Sequence, residues 1–133
     1  MKYEHAPDLQ EQVDKIAILL FPHVKIERVK CFRSYGTSTR NTVARCHTIG
    51  KLMQKAIGVQ AYYAIEFITE KFENLEDEEK IKVIIHELMH IPKTFGGGFR
   101  HHDVVCDKNV NKCYKEYKKI IGDKRDELGK SWF

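Results

Sequence analysis

The sequence predicts an α+β domain in which a small sheet packs on one central helix, with further helices at its flanks. Three observations carry this. Residues 23–35 and 59–69 are rich in alternating or β-branched and aromatic side chains, as strands are. Other segments repeat apolar residues at helical spacing. A chain of 133 residues is also the usual size of one domain and long enough to bury a sizeable core. Residues 1–133 are read as that single domain, because no linker, repeat or low-complexity tract divides them.

Taken in order, Asp8 and Glu11 stand at capping-box spacing before Leu9, Val13, Ile16, Ala17 and Leu20, which share one helical face. Val24, Ile26, Val29 and Cys31 then alternate with basic residues as a strand. Gly36-Thr37-Ser38-Thr39 is a turn and helix cap. A second helix follows through Val43, Cys46, Ile49, Met53 and Ile57, closed by Gly58. The strand at 59–69 precedes a third helix, whose first turn carries Glu76, Asp77, Glu78 and Glu79 at the positive end of the helix dipole. Ile81, Ile84, Ile85, Leu88 and Ile91 form its apolar stripe, and Pro92 ends it. Cys106, Val110, Cys113, Tyr114, Tyr117 and Ile120 describe a last helix that packs inward.

The third helix holds the chemistry. It reads His86-Glu87-Leu88-Met89-His90, an HExxH pattern. Side chains four apart lie on one helical face, so His86 and His90 can offer imidazole nitrogens to one metal ion. Glu87 is close enough to act as general base toward water. Metal-assisted hydrolysis also needs a third ligand. After Pro92, Gly96-Gly97-Gly98 permit a reversal, and His101 and His102 follow. Chain reach is not limiting, since a dozen extended residues span roughly 36 Å or more. Successive side chains on an extended segment point to opposite sides, so one of the two ligates and the other lines the pocket. Asp103 is a carboxylate suited to holding the second N–H of a ligating imidazole.

These residues resemble the zincin metallopeptidases, and more closely a group of small archaeal and phage-associated metallopeptidases. The resemblance runs from Cys31 to Asp103. Its specific part is His-Glu-Leu-Met-His-Ile-Pro at 86–92, Phe95-Gly96-Gly97, and His102-Asp103. It implies a minimal zincin-like domain binding one zinc ion (Zn2+) through His86, His90 and His102, with Glu87 catalytic and His101 as alternative ligand or transition-state donor. It also implies a peptide or protein substrate, and the strand before the active-site helix, residues 61–68, as the sheet edge on which that peptide pairs. Two zincin variants do not match. The metzincin glycine position holds Lys93 and its final histidine position holds Gly96, while a gluzincin ligand at Glu116 would be followed by Ile120 rather than an aspartate.

Composition narrows the setting. The net charge of +4 is mild and both signs are interspersed. The amino terminus lacks the apolar core of a signal peptide, and no apolar run approaches a membrane span, so a cytoplasmic protein with no membrane partner is expected. Lys25, Arg28, Lys30, Arg33, Arg40 and Arg45 concentrate base in one region. They keep a zinc-dependent nuclease, or a protease associated with nucleic acid, as the alternative; a non-catalytic zinc-binding protein is the third reading. Tyr63, Arg100 and His101 are candidate oxyanion donors. Cys31, Cys46, Cys106 and Cys113 include no CxxC knuckle and are expected as free thiols in a reducing compartment. His5, His23 and His47 are expected to be surface or locally satisfied histidines.

Overall fold

A computed structural model describes residues 1–128, with side chains through residue 122. Four strands form one mixed sheet: β1 (Lys2–His5), β2 (Val29–Tyr35), β3 (Ala44–Thr48) and β4 (Tyr63–Ile68), in the order β1-β2-β4-β3. β4 runs parallel to β2, pairing Val29 with Tyr63, and antiparallel to β3, pairing Cys46 with Ile65. Five helices accompany the sheet: α1 (Pro7–Leu20), α2 (Lys51–Ile57), α3 (Thr69–Phe72), α4 (Asp77–Met89) and α5 (Asp107–Leu128). α1 packs on β2 and α4 on β3, and α5 lies against both helices. The fold is α+β, as the sequence predicts.

The core forms where the apolar stripes of the helices meet one sheet face. Leu9, Val13 and Ile16 of α1 and Ile81, Ile84, Ile85 and Leu88 of α4 cluster with Val29, Cys31, Tyr63, Ile65 and Phe67. Val110 and Tyr117 bring α5 into the same cluster. Ile84, Ile85 and Leu88 are fully buried. α4 is therefore fixed on its inner face while one flank stays open to a cleft. Among the described residues no helix is long and apolar enough to cross a membrane.

Three expectations are corrected, and one strand is new. The second helix begins only at Lys51; residues 44–48 are β3, because Gly50 interrupts the helical run and β4 gains its second neighbour from this segment. The strand at 23–35 is shorter, with a 3₁₀ turn (Ile26–Arg28) before β2. The four-residue β1 is exposed along its whole length and carries no alternation by which the sequence could reveal it. Residues 61–68 are not an edge: β4 is central, and the edge beside α4 is β3. The nearly continuous burial of β4 fits an interior strand, whereas β3 is half-buried apart from an exposed His47.

Asp8 does not cap α1. Ala6 is the N-cap and Pro7 the first helical residue, while Asp8 reaches across to Arg33, which donates Nη1 to Oδ1 at 2.7 Å and Nη2 to Oδ2 at 2.8 Å. The Arg33 bonds hold the Asp8 carboxyl down at about 2. Its contribution is present above the ordinary carboxylate range and is lost as pH falls through that value. Because Asp8 is largely exposed, Asp8→Asn should cost under about 1 kcal/mol at pH 7 and clearly less at pH 2, where the carboxyl is already half protonated. Urea melts at the two pH values test this, and an equal loss at both would remove the ion pair from the account.

Candidate metal centre

The carboxyl end of α4, the β3 edge and the segment after the glycine turn enclose a cleft of about 990 Å³. His86, Glu87, His90, His101 and His102 all line it. His86 lies within α4, and His90 is the residue that closes it, with its N–H reaching back to the Glu87 carbonyl at 3.2 Å. The His86 and His90 rings stand 5.0 Å apart, centre to centre. His102 arrives from the loop with its ring 5.4 Å from His90 and 6.3 Å from His86.

The donor chemistry fits a metal ion. His90 Nδ1 lies 2.9 Å from the Arg100 carbonyl, an acceptor, so Nδ1 carries the proton and the Nε2 lone pair is left for a ligand. Arg100 N–H bonds the His90 carbonyl at 2.8 Å, which makes this contact reciprocal. Desolvation depresses the pKa of His86, His90 and His102 add to that, and Asp107 opposes it; the ring is therefore kept neutral, as a ligand must be. Three nitrogens bound tetrahedrally at about 2.1 Å would set ring centres about 5 Å apart. Two of the three spacings match that. The third is wider, and among the described residues no three His, Cys, Asp or Glu side chains stand in finished metal-holding geometry. The mismatch lies with His102, an exposed side chain on an irregular segment, for which a rotation is a small rearrangement.

Glu87 is buried, with one carboxylate oxygen 4.0 Å from His86 Nε2. Burial pushes its carboxyl up to about 8, against a hydrogen bond from the Cys46 backbone that acts the other way. That bond ties the acid to the β3 edge. Asp103 is exposed, and among the described residues it makes no bond to an imidazole; the partner that orients His90 is the Arg100 carbonyl. Sequence reading missed Asp107, which heads α5, lines the cleft and acts electrostatically on His86. Its only sequence signal was an acidic residue at a helix start, a common position.

Tyr63 is not free to serve as an oxyanion donor. Its hydroxyl donates to the Gly98 carbonyl at 2.8 Å and accepts from the Gly97 N–H at 3.0 Å. Burial pushes the phenol pKa up, so the donor proton is retained. Gly97 has φ +98°, and a Cβ there would collide with Gln54 Nε2 and come within 2.6 Å of the Ile49 carbonyl. Gly97→Ala should lower stability by about 1–3 kcal/mol. A shifted denaturant midpoint at unchanged slope is the expected readout, and an unshifted midpoint would mean that the loop relaxes without strain.

Of the remaining sequence candidates, Arg45 lines the same cleft. Arg33 pairs with Asp8 and Glu73, Arg28 bonds Gln60 and lies over the Phe95 ring, and Arg45 sits beside Glu66 in the β3–β4 register. His5 stacks on Phe32, His23 bonds the Ile91 carbonyl and His47 bonds Glu66. All four cysteines are free thiols, and burial pushes Cys31 up to about 12.

A protein-family model described as "Putative phage metallopeptidase" matches residues 1–125. No curated protein and no solved structure matches the chain.

Proposed function

The chain belongs to the phage metallopeptidase family, and on that premise we propose that it is a zinc-dependent peptidase of the zincin type acting on a peptide or protein substrate. One observation carries the reading: three imidazoles converge on a cleft that also holds a buried glutamate beside an open strand edge. His86, His90 and His102 are the residues that would hold the ion. Bound there, zinc supplies Lewis acidity, which acidifies water and polarises a peptide carbonyl. Beside a held cation the Glu87 carboxyl would be drawn back to the carboxylate form, in which it accepts the proton of the attacking water and delivers it to the departing amine. The Arg100 carbonyl keeps His90 in the tautomer that this requires. Arg100 and His101, both lining the cleft, are the available donors toward an oxyanion.

The β3 edge supplies the substrate register. Ile68 N–H bonds the Val43 carbonyl at 2.9 Å, so Val43, Arg45 and His47 point their backbone groups at β4. By alternation, those of Ala44, Cys46 and Thr48 face outward, and Cys46 N–H meets Glu87. An extended peptide adding to β3 is thereby carried past the catalytic carboxylate. The cleft mixes Glu79 and Asp107 with Arg45, Lys82 and Arg100, both signs together rather than the one-signed basic groove that nucleic acid selects, and it is open to solvent, which favours catalysis over a closed structural ion. We assign the protein to the cytoplasm, where its thiols would stay reduced.

The test is incubation of zinc-loaded protein with an unfolded polypeptide, with and without chelator, and mass spectrometry of the products. Chelator-sensitive internal cleavage is expected. Intact polypeptide alongside cleaved RNA or DNA would transfer the activity to a nuclease, and no cleavage of either at full zinc occupancy would leave a binding protein.

A further inference from the structure

The segment that delivers the third imidazole is fastened at several points by ring contacts and hydrogen bonds within the protein. Phe95, at φ +48°, is buried and packs edge-on against Tyr63, with ring centres 4.9 Å apart and the Arg28 guanidinium over its outer side. The Tyr63 hydroxyl then bridges two consecutive peptides, accepting from Gly97 N–H and donating to Gly98 C=O. Gln54 donates Nε2 to the Ile49 carbonyl at 2.7 Å and to the Gly96 carbonyl at 3.0 Å. The last clamp is the reciprocal pair between His90 and Arg100.

Gln54 gives α2 a purpose that its packing does not. No residue of this helix is buried, and Leu52, Met53 and Ile57 are exposed. Gly58 closes it in the left-handed conformation, and Gln54 is its one half-buried side chain. A helix so weakly seated contributes little to a core. What it does contribute is one amide head held between the end of β3 and the turn, in the space that a Cβ on Gly97 would fill.

We propose that Tyr63 and Gln54 are positioning residues that set the glycine turn, and with it the place of His102, before any metal binds. This rests on the reading of His86, His90 and His102 as the metal-holding set. The physical reason is that a turn of three glycines has unusual conformational freedom to lose on ordering. If that loss fell at metal binding it would weaken affinity; hydrogen bonds from Tyr63 at the centre of the sheet and from Gln54 on α2 move it to folding.

Tyr63→Phe removes one oxygen and leaves the ring, and Gln54→Leu removes the amide at similar volume. Each should weaken zinc binding by about 10- to 100-fold in a competition titration against a chromophoric chelator. Hydrogen exchange on the metal-free protein gives an independent readout. The Gly97 amide should be protected in the parent and exchange faster in Tyr63→Phe, with the amides of α1 and α4 unchanged. His90→Ala is the control for the underlying reading. If it binds zinc like the parent, the metal site itself is wrong. If it loses zinc while Tyr63→Phe and Gln54→Leu keep parental affinity and Gly97 exchanges freely in the parent, the metal site stands and the positioning role falls. A variant that unfolds is replaced by Gln54→Glu, which retains the shape and removes the donor, and which should show the same weakened affinity.

Discussion

Glu87→Gln should bind zinc with parental affinity and cleave peptide at least about 10²-fold more slowly, the usual effect of removing a general base. The substitution leaves the side-chain shape and removes the proton-accepting oxygen. Structural loss should be small, because the amide keeps the size and shape of the buried Glu87 side chain. The amide oxygen can still accept the Cys46 N–H. Turnover and zinc stoichiometry are measured on one preparation, so that a fall in rate cannot be mistaken for loss of metal. Parental turnover by the Gln variant would sink the mechanism.

His102→Ala should weaken zinc binding by more than about 100-fold, beyond the range seen when only a supporting group is lost. His101→Ala should change affinity by less than tenfold and act mainly on turnover. The motivating geometry is the approach of the His102 ring to 5.4 Å from the His90 ring and 6.3 Å from the His86 ring, centre to centre. Thermal melts offer a second readout, because a ligand at 100 times its dissociation constant stabilises the fold by about 2.7 kcal/mol. That zinc-dependent rise should vanish in His102→Ala and persist in His101→Ala. The opposite pattern would exchange the two roles.

Much of the fold was legible because it depends on local periodicity. The stripe from Ile81 to Ile91 and the face from Leu9 to Leu20 identify α1 and α4 without tertiary information. The HExxH spacing likewise brings two imidazoles together through helix geometry alone. What was not legible depends on long-range pairing. Ala44-Arg45-Cys46-His47-Thr48 has no decisive period, and its strand state comes from hydrogen bonds to β4. Strand order, and hence which edge faces the cleft, is a property of the assembled sheet. The orientation of His90 was hidden for a similar reason. Its partner is a backbone carbonyl, and backbone atoms have no sequence identity. The sequence offers Tyr63 as a candidate oxyanion donor, but that its hydroxyl is engaged with Gly97 and Gly98 follows only from the turn folding over it.

The outward side of β3 also bears on how the protein behaves in concentrated solution. A row of unsatisfied amides and carbonyls accepts any extended chain, including the same strand of another molecule. Ala44, Cys46 and Thr48 present such a row, interrupted where the Cys46 N–H meets Glu87, and Arg45, His47 and Thr48 bring polar side chains to the strand. Self-association through this edge would bury the cleft of each partner and compete directly with substrate. Specific activity should therefore fall as protein concentration rises, and a short peptide that occupies the edge should restore the monomer.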